Sequence, residues 1–128
     1  MPGQRILIIE DNVINRKIMR DLLRIHHYET FEAVNGLEGV KMAKELLPDL
    51  IMMDIQLPEL DGYSATKRIK ADVQTQKIPI IAVTSFAMRG EADRAKEAGC
   101  DAYITKPIDI RQVIMKVREF LPESNVPQ

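Results

Sequence analysis

Leu50-Ile51-Met52-Met53-Asp54 decides the fold of this chain: four consecutive apolar residues run without alternation into a carboxylate. A strand with one wet face alternates apolar and polar residues, whereas an unbroken apolar run suits a strand covered on both faces, as in a parallel sheet. Ile6-Leu7-Ile8-Ile9 and Ile80-Ile81-Ala82-Val83 share the signature, and weaker strands are predicted over 28–32 and 101–104.

The segments between these strands repeat with helical period. Ile14, Ile18 and Leu22, with Met19 and Leu23, form an apolar stripe behind a cap candidate at Asn12. Val40, Ala43 and Leu47 form a second stripe, stopped by Pro48, and Ile110, Val113, Ile114, Val117 and Leu121 a third, stopped by Pro122. Weaker helices are predicted over 62–70 and 89–98, the latter offering only Ala92, Ala95 and Ala98 as its stripe. Strand and helix thus alternate five times. The alternation predicts an α/β chain, a flavodoxin-like (βα)5 three-layer sandwich with a five-stranded parallel sheet of order 2-1-3-4-5 and helices on both faces.

A length of 128 residues suits one domain, placed at residues 1–121, with a short tail at 122–128. A hydrophobic share of 45% with 29% charged residues belongs to the soluble globular class. Eighteen Lys and Arg against nineteen Asp and Glu leave a net charge of −1, so no general attraction to nucleic acid or anionic lipid is expected. Cys100 is the only cysteine, which excludes an internal disulfide and a multi-cysteine zinc site; it reads as a small buried hydrophobe rather than a redox nucleophile. With no signal-peptide pattern and no run near the roughly 18 apolar residues of a membrane span, a cytoplasmic location is expected.

In a sheet of this order ligands bind beyond the carboxyl ends of the strands, at the switch between the first and third. The first strand ends in Glu10-Asp11, the third in Asp54 and the fourth in Thr84-Ser85, and the fifth is followed by Thr105-Lys106-Pro107. Singly, these residues have ordinary readings. Asp11 suits the start of a helix, Glu10 a solvated strand end, Lys106 a surface charge and Thr84 a hydroxyl that satisfies backbone groups. Asp54 is harder to dismiss, because a carboxylate closing a buried run needs a partner. Three carboxylates at close range invite a hard divalent cation or become protonated, and Mg²⁺ prefers a few carboxylates with phosphate oxygens. An Asp beside such a cation can attack phosphorus, with Lys106 balancing charge and Thr84 donating a hydrogen bond. The residues reach a metal and phosphate site and go no further.

The stretches Ile6-Leu7-Ile8-Ile9-Glu10-Asp11-Asn12, Asp49-Leu50-Ile51-Met52-Met53-Asp54-Ile55-Gln56-Leu57-Pro58, Asp61-Gly62, Ile80-Ile81-Ala82-Val83-Thr84-Ser85 and Gly99-Cys100-Asp101-Ala102-Tyr103-Ile104-Thr105-Lys106-Pro107 resemble response-regulator receiver domains of the CheY-like superfamily, over roughly residues 4–121. The runs Met53-Asp54-Ile55-Gln56-Leu57-Pro58-Glu59 and Phe86-Ala87-Met88 look most like the DivK-type single-domain regulators. The resemblance implies that Asp54 is the phosphoacceptor, with Mg²⁺, or Mn²⁺ in its place, held by Glu10, Asp11, Asp54 and the Gln56 backbone carbonyl. It implies that Lys106 pairs with the phosphoryl group, that Thr84 moves towards it, that Tyr103 swings inward, and that the Lys106-Pro107 bond is cis. Gln56 and Phe86 stand where side chains govern water's access to the phosphoryl group, and Ser85 where many members carry Ala. Phe86 and Met88 resemble the start of a partner-binding face that includes the fourth helix.

The implied function is a two-component or phosphorelay switch, not an enzyme beyond assisting its own phosphorylation and dephosphorylation. Its partners would be a sensor histidine kinase or histidine phosphotransfer protein and a downstream protein target, with no nucleic acid or membrane, as a monomer or a phosphorylation-dependent dimer. Two alternatives stand beside it. A flavodoxin-like FMN carrier shares the strand order but would carry a Ser/Thr-rich phosphate loop where the acidic pair stands. A Mg²⁺-dependent aspartyl-phosphate phosphatase would carry a second Asp where Gln56 stands. His26-His27 reads as a solvated helix end.

Overall fold

The computed structural model describes residues 3–85 and 90–122. Strands β1 (Arg5–Ile9), β2 (Glu29–Ala33), β3 (Leu50–Asp54), β4 (Ile80–Thr84) and β5 (Ala102–Thr105) form one sheet of order β2-β1-β3-β4-β5. Every pairing is parallel, with Ile9 opposite Met53 and Asp54 opposite Val83. Helices α1 (Val13–Ile25), α2 (Gly36–Leu46), α3 (Gly62–Ala71), α4 (Glu91–Ala98) and α5 (Ile110–Phe120) alternate with the strands. Among the described residues no helix is long and apolar enough to cross a membrane.

Successive strand residues point to opposite faces, so each buried strand feeds two cores. Ile6, Ile8, Leu50, Met52, Ile81 and Val83 pack with Met19 and Leu23 of α1 and Val113, Ile114 and Val117 of α5. Leu7, Ile9, Ile51, Met53, Ile80 and Ala82 pack with Ala43 of α2, Ala65 and Ile69 of α3 and Ala95 of α4. The second layer uses small helix residues because its helices approach closely. A Cβ added to Gly39 would run into the Ile9 side chain.

Helix starts follow side-chain capping. Asn12, Asn35 and Asp61 accept hydrogen bonds from the amides of Asn15, Glu38 and Ser64, and Asp109 from those of Arg111 and Gln112, each contributing about 1 kcal/mol. Three stripes differ from expectation, and in α5 the difference is Ile110, which opens the helix 54% exposed while Val113, Ile114 and Val117 are buried. In α1, Met19 and Leu23 are buried and Leu22 partly so, whereas Ile14 is 66% exposed and Ile18 38%. Leu47 is not part of a helical stripe: it caps α2 in the left-handed conformation, φ 48°, with its side chain half in solvent. Tyr28 precedes β2 and is buried, its hydroxyl donating to the Leu121 carbonyl at 2.8 Å. Cys100 is a buried free thiol, and burial pushes its pKa up, which suits packing rather than reactivity. His26 caps α1 and His27 follows with φ 72°, exposed.

Candidate functional site

Parallel pairing sets the site. Because Ile9 lies opposite Met53, the next residues, Glu10 and Asp54, leave adjacent strands side by side at the carboxyl edge. Both are buried, Glu10 completely and Asp54 to within 2%. Asp11 is exposed, yet Glu10, Asp11 and Asp54 each bring a carboxylate oxygen within 4.8 Å of the others. Lys106 arrives from beyond β5, its amide bonded to the Thr84 carbonyl at 2.7 Å. Its ammonium stands 3.2 Å from Asp54 Oδ2 and 3.3 Å from Glu10 Oε1.

The remaining contacts are uneven. Asp54 Oδ1 accepts from the Gln56 amide at 3.0 Å and Oδ2 from Lys106. Glu10 Oε2 accepts from the Asn12 amide at 3.2 Å, but Glu10 Oε1 is buried and meets no aligned hydrogen-bond donor among the described residues. Lys106 is near enough to Oε1 for an ion pair without the angle of a hydrogen bond. Burial, and then the neighbouring Asp54 carboxyl, push the Glu10 pKa from 4.5 to about 8. For Lys106, burial disfavours the charge, but Asp54 and Glu10 outweigh it and raise its pKa. One lysine does not neutralise three crowded carboxylates. Hard oxygen donors crowded at one edge, with a buried oxygen that no aligned donor among the described residues meets, fit a hard divalent cation such as Mg²⁺.

Of the other expected site residues, Thr84 is buried at the end of β4, opposite Thr105. Tyr103 lies on β5 opposite Ala82 and is 42% exposed. Gln56 follows β3 with its amide on Asp54 and its side chain exposed. The Lys106–Pro107 peptide bond is cis. Phe86 and Met88 lie outside the described residues. Two supporting residues were given no role in the sequence reading. Gly62 opens α3 directly against the strand end: its amide donates to the Ile55 carbonyl, and a Cβ there would run into the Asp54 carbonyl oxygen. Arg16 reaches back from α1 to the Glu10 carbonyl at 3.0 Å. Its signal was only its position, one helical turn beyond Asn12.

A five-stranded sheet with an acidic carboxyl edge and a partly buried lysine defines a receiver. Residues 6–118 match the response regulator receiver domain family, and the chain belongs to that family. It is a response regulator of two-component signalling, which sets it apart from the flavin-carrier and phosphatase alternatives. It is 46% identical to the polar-differentiation response regulator DivK of Brucella anthropi over 119 residues, 93% of this chain and 97% of that protein. Among solved structures it is similar to the receiver domain of a sensor histidine kinase from Pseudomonas aeruginosa, which has magnesium coordinated in its active-site cleft. The TM-score is 0.86 at 34% identity, covering 93% of this chain and 98% of that one. It is also similar to a Saccharomyces cerevisiae receiver domain co-crystallised with its histidine phosphotransfer protein, with a TM-score of 0.84 at 34% identity over 93% of this chain and 89% of that one.

Proposed function

We propose that this chain accepts a phosphoryl group on Asp54 from the phosphohistidine of a sensor histidine kinase or histidine phosphotransfer protein, and thereby switches its binding to a downstream protein. The observation that carries this reading is the buried Asp54 carboxylate within 4.8 Å of two further carboxylates and 3.2 Å from the Lys106 ammonium. A cation would be held by Glu10, Asp11, Asp54 and the Gln56 carbonyl, Mg²⁺ or Mn²⁺ in its place. When bound it supplies positive charge against the carboxylates and the incoming phosphoryl oxygens.

In the transfer a carboxylate oxygen of Asp54 forms a bond to phosphorus, the phosphorus–nitrogen bond breaks, and its electron pair returns to the donor imidazole. Lys106, already drawn to Asp54, turns its charge to the phosphoryl oxygens. The Thr84 hydroxyl, buried at the neighbouring strand end, donates to them, and Tyr103 moves inward from its exposed position. Gln56, with its amide on Asp54 and its side chain exposed, flanks the path of attacking water. The protein thus promotes its own modification and hydrolysis without turning over an external substrate. It works in the cytoplasm, as a monomer or as a dimer formed on phosphorylation.

Acetyl phosphate with Mg²⁺ will add one phosphoryl group to the wild type and none to Asp54→Asn, read by intact mass. Equal labelling of the two proteins would overturn the assignment.

A further inference from the structure

We propose that Arg16 is a positioning residue for the cation-holding pair Glu10 and Asp11, acting through their backbone; the inference rests on reading that pair as cation ligands. Arg16 Nη1 stands 3.0 Å from the Glu10 carbonyl oxygen and 3.5 Å from that of Asp11. Its Nε donates to Glu32 Oε1 on β2 at 3.0 Å, and only 17% of the Arg16 side chain is exposed. The guanidinium thus ties together the loop that carries both acids, the first helix and the edge strand.

The orientation of a carbonyl fixes its whole peptide plane. Pinning the carbonyls of Glu10 and Asp11 therefore sets the planes on either side of the Asp11 α-carbon and limits where its carboxylate can point. Glu10 has further anchors in the Asn12 amide and Lys106. Asp11 is exposed on a residue outside any strand or helix, so the clamp matters most there. Local preference does not explain an arginine at this place: a cation near a helix N-terminus opposes the macrodipole. The carbonyls and Glu32 offset that cost.

The sign of the effect separates positioning from simple charge. A guanidinium near a cation site repels the ion, so by charge alone Arg16→Ala would tighten binding. Positioning requires the reverse. Free Mn²⁺, measured by electron paramagnetic resonance at fixed pH and ionic strength, will show roughly tenfold weaker binding to Arg16→Ala, as for groups that orient metal ligands elsewhere. Arg16→Lys keeps the charge but loses the planar fork that spans the carbonyls and Glu32, and it will weaken binding in the same direction. Circular dichroism will confirm that each variant is folded, because a purely structural role would lower the melting temperature without changing the affinity of folded protein. Should Arg16→Ala fail to fold, Arg16→Lys carries the test. Unchanged or tighter Mn²⁺ binding by a folded variant would overturn the inference alone. Absence of Mn²⁺ binding to the wild type would overturn the cation reading and the inference with it.

Discussion

The two helical layers bury the same sheet by different means. On one face α1 and α5 press Met19, Leu23, Val113, Ile114 and Val117 into the strands, and Asp109 caps α5 with its side chain. On the other, α4 offers Ala95 and Ala98 and is preceded by Gly90, which has no side chain with which to cap it. Apolar burial scales with side-chain area, so α5 is fastened by several large residues where α4, among its described side chains, is fastened by methyl groups. The Arg94 guanidinium lies 4.4 Å from the Tyr63 ring centroid and ties α4 to α3 instead. Loosely held elements are the ones that move in switching proteins, and α4 follows the strand that ends in Thr84.

The largest effect expected of this contrast is on stability. Leu23→Ala will cost about 2–5 kcal/mol in urea unfolding, whereas Ala95→Gly will cost about 1 kcal/mol, mostly helix propensity. Equal costs would break the comparison.

A second measurement places the destabilising charge in neither layer but at the strand ends between them. Glu10 has a folded pKa of about 8 against an ordinary 4.5, so between those values the folded chain holds a proton that the unfolded chain has released. Stability without divalent cations is therefore full below the lower value and falls as pH rises through the higher, by an amount on the order of a few kcal/mol. Unfolding in chelator across that window will show the slope in the wild type and a flatter one in Glu10→Gln. The same slope in both would remove Glu10 as the cause.

The smallest effect sharpens the contrast. Arg94→Ala will lower stability by about 0.5–1 kcal/mol or less, since Arg94 is exposed, while amide hydrogen exchange quickens in α4 and stays constant in α5. Uniform quickening would mean that the stack supports the whole domain rather than one helix.

Much of this arrangement is legible along the chain, and the failures have particular causes. Each strand lies within one residue of its expected place, because an apolar run bounded by polar residues leaves little freedom. The α1 stripe was ambiguous: Ile14, Ile18 and Leu22 and the pair Met19 and Leu23 are rows one residue apart, about 100° around the helix, and periodicity cannot choose between them. Contact with the sheet chose the second. Leu47 continued the α2 rhythm, but Pro48 disfavours helical geometry in the residue before it, and the chain turns there. At the site, Glu10, Asp11, Asp54, Thr84 and Lys106 could be named from their places at strand ends. The parts played by Arg16 and Gly62 could not be read there, since they depend on a carbonyl direction and a backbone approach.

By itself, then, the sequence determined the alternation of elements, the parallel sheet and the acids and lysine at its carboxyl edge, because hydrophobic period and strand ends are local properties read residue by residue. Tertiary structure alone decided that Glu10 would be buried with an oxygen that no aligned donor among the described residues meets, that Lys106 would stand between Glu10 and Asp54, and that Arg16 would clasp the acidic loop. Those outcomes depend on strand register and on the desolvation of charges brought together from distant parts of the chain.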